Sequence, residues 1–281
     1  MSTNMNDLTE ITYELRQNVL DIVMSGKGGH IGGDMSVLDI LTVLYFRVMN
    51  ISPDKTDDPG RDRFIMSKGH SVEALYAVLA ARGFFPLQEV PDRFSRFGSP
   101  YIGHPNNHLP GIEMNSGSLG HGLPVSVGMA LAGKMDQASY RVYTVMGDGE
   151  LAEGSVWEAA MAAGNYKLDN LCATIDRNHL QISGETEEVM KQNSLKERFE
   201  AFGWNVIEAA NGNDTEELFC AYTQAAKAKG KPSLVIASTV KGFGSSVMEN
   251  KIQWHHRVPT EEEYIQISRD LKERREHIRH E

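Results

Sequence analysis

Apolar residues recur along this chain in stretches of helical spacing that alternate with short continuous apolar runs. In residues 8–24, Ile11, Leu15, Val19, Ile22 and Val23 form a stripe at helical spacing. A glycine-rich break follows over 25–33, and 36–48 resumes as a helix with Val37, Ile40, Leu41 and Leu44 on one face. Residues 64–66 read as a short strand that ends in Ser67-Lys68-Gly69-His70, and 73–82 read as a helix. Residues 84–115 carry five prolines and no period, yet Phe94, Phe97 and Tyr101 predict an ordered loop. Residues 122–135 are a helix rich in small side chains, suited to close packing.

The second half alternates more regularly. Strand-like runs at 141–146 and 171–175 enclose a helical pattern at 153–166, the spacing of a single crossover. Helices at 194–202 and 215–228 then interleave with strands at 204–209 and 232–238. This alternation predicts an α/β fold, a doubly wound, mainly parallel sheet with helices on both faces. No repeat or linker interrupts it, so one domain is expected over 1–281. Residues 260–281 form a charged helix with a sparse stripe of Tyr264, Ile267, Leu271 and Ile278, which suits either docking to a partner or covering the core.

Composition narrows the classes of function. A content of 41% hydrophobic and 23% charged residues is that of an ordinary globular protein. The net charge of −10 disfavours nucleic acid or an anionic membrane surface as the main partner. Two cysteines, Cys172 and Cys220, cannot make a disulfide framework. Residues 1–10 lack a signal-peptide core and no apolar run reaches membrane-spanning length, so a cytoplasmic protein is expected.

The chemistry concentrates after two strands. Met146-Gly147-Asp148-Gly149-Glu150 follows one apolar run, and Asp176-Arg177-Asn178 follows the next. On neighbouring parallel strands, Asp148 and Asn178 would present hard oxygens at one sheet edge, as a magnesium ion holding a diphosphate requires. The glycines beside Asp148 let backbone approach phosphate, and the helix that follows points its N–H groups toward negative charge. His30, His70, His104 and His255 each follow a turn or strand end, where they could hydrogen-bond phosphate or hydroxyls and move protons. No His-x-x-x-His pattern on a helix supports zinc.

Seven segments taken in order resemble the N-terminal, diphosphate-binding half of transketolase in its split, two-subunit form. They are SGKGGHIGG (25–33), SKGH (67–70), Gly103-His104-Pro105, GSLGHGLPVSVGM (117–129), GDGELAEGSVW (147–157), 176–178 and Trp254-His255-His256. The resemblance implies the diphosphate-binding domain of the thiamine diphosphate-binding fold. It also implies thiamine diphosphate and Mg2+, with Asp148, the Asn178 side chain and the Leu180 carbonyl on the metal. His70 and the Gly149 backbone would contact the diphosphate, and Gly117 and Leu119 the aminopyrimidine. His30, His104 and His255 would line the substrate channel, with His255 also beside the cofactor. His121 stands where full-length members usually carry glutamine, which agrees better with the split form.

The implied reaction moves a two-carbon ketol unit from a ketose, or its phosphate, to an aldose acceptor. In this family the glutamate that activates the aminopyrimidine comes from a pyrimidine-binding domain. The resemblance therefore implies a separate C-terminal subunit, in an α2β2 assembly. The alternatives are the α subunit of a 2-oxoacid dehydrogenase and a non-catalytic scaffold subunit. Lys241 and Arg257 lie near the expected site but read as surface charges.

Overall fold

The computed structural model describes residues 5–280; Met1–Asn4 and Glu281, which belong to the N-terminal and C-terminal readings above, lie outside the described residues. In chain order the elements are α1 (Met5–Gly26), α2 (Ile31–Val43), β1 (Arg63–Met66), α3 (Val72–Ala81), α4 (Glu89–Arg93), α5 (Gly122–Met135), β2 (Val142–Gly147), α6 (Gly154–Asn165) and β3 (Leu171–Arg177). There follow β4 (Leu180–Gln181), β5 (Gly184–Glu185), α7 (Thr186–Val189), α8 (Leu195–Ala201), β6 (Asn205–Ala209), α9 (Thr215–Lys227), β7 (Ser233–Ser238) and α10 (Glu261–His280).

Five strands form one sheet in the order β1-β2-β3-β7-β6, every pair parallel, and β4 and β5 form a separate antiparallel ribbon. Strand side chains alternate between two cores. Tyr143, Val145, Cys172, Val235 and Ala237 join the core built with α1, α2, α3, α9 and α10. Val142, Met146, Leu171, Ala173, Ile175, Leu234 and Ile236 join the core built with α5, α6 and α8. Burial on both faces explains why these strands read as unbroken apolar runs. The expected doubly wound α/β fold is therefore present.

Several local expectations need correction. Helix α2 starts at Ile31 rather than at Ser36, so Gly32 and Gly33 are helical. A Cβ on Gly32 would lie 2.5 Å from the Trp254 carbonyl oxygen, and one on Gly33 2.8 Å from Ser71 Oγ. Tight packing there outweighs the poor helix propensity of glycine. Strand β3 runs on through Arg177, which brings Asn178 to its very end. In the proline-rich loop Phe94 and Tyr101 are buried around Tyr76, but Phe97 is fully exposed at a turn flanked by the left-handed Ser95 (φ 55°) and Gly98 (φ 74°). Helix α10 covers the core: Ile267 and Leu271 are buried, and Tyr264 Oη donates to Asp21 Oδ1 on α1 at 2.9 Å. Among the described residues no helix is long and apolar enough to cross a membrane.

Candidate active site

The carboxyl ends of four neighbouring strands open on one cavity of about 310 Å3, the position at which open α/β sheets bind ligands. Strand β1 leads into Lys68 and His70, β2 into Asp148 and Gly149, β3 into Asn178, and β7 into Lys241. His30 stands at the N-cap of α2, while His104, Gly117 and Leu119 come from the loop before α5. His255 follows a short 3-10 turn, Ile252–Trp254. The cavity wall contains all of these residues together with Leu180. Every site residue singled out from the sequence thus faces one space.

The oxygen-rich side is fixed by backbone. Pairing of Gly147 with Asp176 sets β2 and β3 in register, so Asp148 and Asn178 leave the sheet side by side. Asp148 is buried; its Oδ1 accepts from Gly149 N–H at 2.8 Å and its Oδ2 from His179 N–H at 2.6 Å. His179 takes a left-handed conformation (φ 64°) that turns the chain sharply into β4. Asn178 Oδ1 accepts from Leu180 N–H at 3.2 Å, and its Nδ2 donates to Ser36 Oγ at 3.4 Å. Burial, and then the nearby Asp176, push the Asp148 carboxyl up to about 6. Asp176 itself is a core residue, paired with Lys68 and accepting from Ser36 Oγ at 2.6 Å and from Thr239 Oγ1.

A divalent cation fits this donor set. Asp148 is a buried carboxylate, and the Asn178 amide oxygen and Leu180 carbonyl supply further hard oxygens. Among the described residues no group of three His, Cys, Asp or Glu side chains could hold a metal. A soft or zinc-type site is thereby disfavoured, whereas Mg2+ with few protein oxygens, water and phosphate is not.

Lys241 corrects the reading of a surface charge. It is 2% exposed, and its Nζ donates to the Leu180 carbonyl at 3.1 Å. Burial, with Lys68 nearby, lowers its ammonium to about 8. An ammonium held at this spot is suited to a phosphate oxygen. Arg257 stays at the surface, paired with Glu263 and over the Trp254 ring at 4.4 Å. Lys68 and Glu150, also in the wall, were not singled out from the sequence, although both lie inside the motifs around His70 and Asp148. Glu150 is buried and ties three loops together, accepting from Gly120 N–H at 2.9 Å, Gly147 N–H at 3.1 Å and Ser67 Oγ. Their burial, invisible in a polar motif, is the signal the sequence lacked.

The opposite side is a wall of imidazoles. His30 is its hub, with ring centroids 5.1 Å from His70, 6.3 Å from His104, 5.6 Å from His255 and 4.6 Å from His256. His70 and His255 stack at 5.5 Å. Burial is the main cause that lowers all four cavity histidines: His30 to about 4, His255 to about 3, and His70 and His104 in the same direction. Neighbouring lysines and imidazoles lower His30, His70 and His255 further. Neutral imidazoles can both donate and accept, and a bound anion would favour their protonated form. His255 Nδ1 is buried without a partner, a group that a ligand could satisfy. Gly117 (φ 146°) must be glycine, because a Cβ there would lie 2.6 Å from His104 Cδ2. His121 is exposed, its Nδ1 3.0 Å from the Leu119 carbonyl oxygen.

Residues 8–273 match the family described as "Transketolase, thiamine diphosphate binding domain". An apulose-4-phosphate transketolase subunit from Phocaeicola vulgatus is 53% identical, over 94% of this chain and 93% of that protein. The 6-deoxy-6-sulfo-D-fructose transketolase subunit SqwG of a Clostridium species is 42% identical, over 93% of this chain and 95% of that protein. Among solved structures, the transketolase of Campylobacter jejuni superposes with a TM-score of 0.89 at 33% identity, covering 98% of this chain and 43% of that one. The chain thus spans less than half the length of that solved transketolase and nearly all of the two subunits.

Proposed function

The chain belongs to the transketolase family, through its thiamine diphosphate-binding domain, and we propose that it is the diphosphate-binding subunit of a two-subunit transketolase. Together with a separate C-terminal, pyrimidine-binding subunit it transfers a two-carbon ketol unit from a ketose phosphate to an aldose phosphate, as an α2β2 assembly in the cytoplasm. The observation that carries this reading is the convergence of Asp148, Asn178, Leu180 and four uncharged histidines on one cavity. Relatives that are themselves named subunits and match over nearly their whole length support the split arrangement. A 2-oxoacid dehydrogenase α subunit is not favoured, since the named relatives are transketolases.

In this reading Asp148, Asn178 and the Leu180 carbonyl hold Mg2+. His70, Gly149 N–H and Lys241 hold the diphosphate, while Gly117 and Leu119 offer backbone to the aminopyrimidine. Thiamine diphosphate, when bound, supplies the carbon nucleophile that cleaves and forms the C–C bond. The protein orients the sugar and moves protons. His30 and His104, with His255, hydrogen-bond the sugar hydroxyls; their neutral rings take a proton from a hydroxyl as the donor splits and return one as the acceptor joins. Such acid–base help contributes about 10²–10⁴-fold in rate. The half-buried wall also limits the access of water to the reacting carbons.

Apulose 4-phosphate is the first donor to try, because two subunit relatives, 53% and 44% identical, carry it in their names. The test is turnover by the purified chain mixed with a candidate C-terminal subunit, thiamine diphosphate and Mg2+, against an Asp148→Ala control. Activity that needs both chains and vanishes in the control supports the proposal. Activity of the chain alone overturns the two-subunit arrangement, and no activity with any subunit that binds it overturns the proposal in favour of the scaffold reading.

A further inference from the structure

Beneath the imidazole wall lies a second acidic feature that the reaction does not use. Asp34, on the first turn of α2, and Glu73, on the first turn of α3, are both fully buried and interact with each other. Asp34 Oδ1 caps α3 by accepting from Ala74 N–H at 3.0 Å. Asp34 Oδ2 and both Glu73 oxygens are buried without a hydrogen-bond partner. Among the described residues no free cation faces the pair: Lys68, whose charge reaches Asp34, is committed to Asp176 and to the Gly33 carbonyl at 3.1 Å. From α1 the nearby group is aliphatic, Val23, and the other polar neighbours are the His30 backbone, the Ser71 hydroxyl and Tyr76.

Two like charges in such a place repel each other without solvent or counter-ion, so both cannot ionise. One proton between them turns the repulsion into an O–H···O bond and gives Asp34 Oδ2 its partner.

The pair also sits where it can hold the active site in shape. Glu73 Oε1 lies 2.7 Å from where a Cβ on Gly29 would be, against the backbone that precedes His30. Helix α3 begins just after His70, and Tyr76, one turn beyond Glu73, donates to the His104 carbonyl at 3.2 Å. We propose that Asp34 and Glu73 share a single proton and act as a neutral positioning pair. They fasten α3 to the start of α2, so that His30, His70 and His104 keep their mutual spacing. This rests on the reading above, in which those histidines serve substrate and cofactor.

Burial raises both carboxyls, Asp34 to about 7, and the charge of Asp34 raises Glu73 further. A carboxyl that is raised in the fold contributes stability while protonated and loses it as pH rises through its folded value. The test uses the two-subunit holoenzyme carrying Glu73→Gln or Glu73→Ala. Glutamine keeps the shape and stays neutral, so turnover within about threefold of wild type at pH 7 is expected, with activity kept further up the alkaline limb. Alanine removes the fastening and is expected to lower kcat by about 10²-fold, the scale of a small misplacement of catalytic groups. As pH rises above the ordinary carboxyl value of 4.5, the melting temperature of wild type should fall relative to that of Glu73→Gln. Equal damage by glutamine and alanine at pH 7, or melting curves that run parallel with pH, would overturn the shared proton. The melting comparison needs no turnover, so it still decides this point if the wild-type assembly transfers no ketol unit.

Discussion

Asp148, Asn178 and Leu180 come from one stretch of chain between β2 and β4, whereas His30, His70, His104 and His255 come from four separate loops. The oxygen side is positioned by strand register and by backbone donors: Gly149 and His179 N–H on Asp148, Leu180 N–H on Asn178. The imidazole side is positioned by packing of helices and loops that meet only in the folded chain, through contacts such as Tyr76 to the His104 carbonyl. Its rings are half-buried and uncharged, while Asp148 is a buried acid suited to a cation. A site of this kind divides its labour. In the proposed function a short, locally fixed segment would anchor the charged end of the cofactor, and an assembled wall would handle the sugar.

Replacement of Asp148 is the strongest test of that division. Asp148→Ala should lower Mg2+-dependent turnover by at least about 10³-fold, the scale of several kcal/mol of metal stabilisation, and isothermal titration should show cofactor binding lost. Thermal melting without cofactor should be unchanged or raised at pH 7, since burial raises this carboxyl to about 6 and so costs stability above that pH. A variant that still binds cofactor tightly would break the comparison at its anchored end. On the other side, His30→Ala should cost about 10²–10⁴-fold in kcat while cofactor affinity stays near wild type. If the titration shows the cofactor lost instead, the two sides are not separable.

Lys241 bridges the sides, because it bonds the Leu180 carbonyl and shares the cavity with His30 and His255. Lys241→Met should weaken diphosphate binding by about 10–100-fold, the value of one hydrogen bond to a charged group, as read by titration. A smaller effect comes from pH. The fold keeps His255 neutral down to about 3, so the unfolded chain takes up its proton first as pH falls below the ordinary imidazole value of about 6.5. Wild type should therefore lose more melting temperature between pH 7 and pH 5 than His255→Gln does. Least effect on the site itself is expected from Leu271→Ala on α10, which should cost about 2–5 kcal/mol of stability in denaturant melts yet leave cofactor affinity unchanged.

The order of strands and helices, the parallel sheet and the segments around Asp148 and Asn178 were legible in the sequence. Each depends on local period or on residues adjacent in the chain. Gly32 and Gly33 misled because their place in α2 is secured by Trp254 and Ser71, remote in sequence. Lys241 misled for a related reason: a lysine's burial depends on what surrounds it, and its neighbours Leu180 and Lys68 arrive from other strands.

The sequence alone therefore determined the α/β class, the family resemblance and the chemical types available to the site, since periodicity and motif order survive without coordinates. Only the tertiary structure decided that α10 covers the core, that Lys241 faces the cavity, and that Asp34 meets Glu73 beneath His30. Burial and charge pairing are properties of neighbours in space, and those neighbours come together only when the helices pack on the sheet.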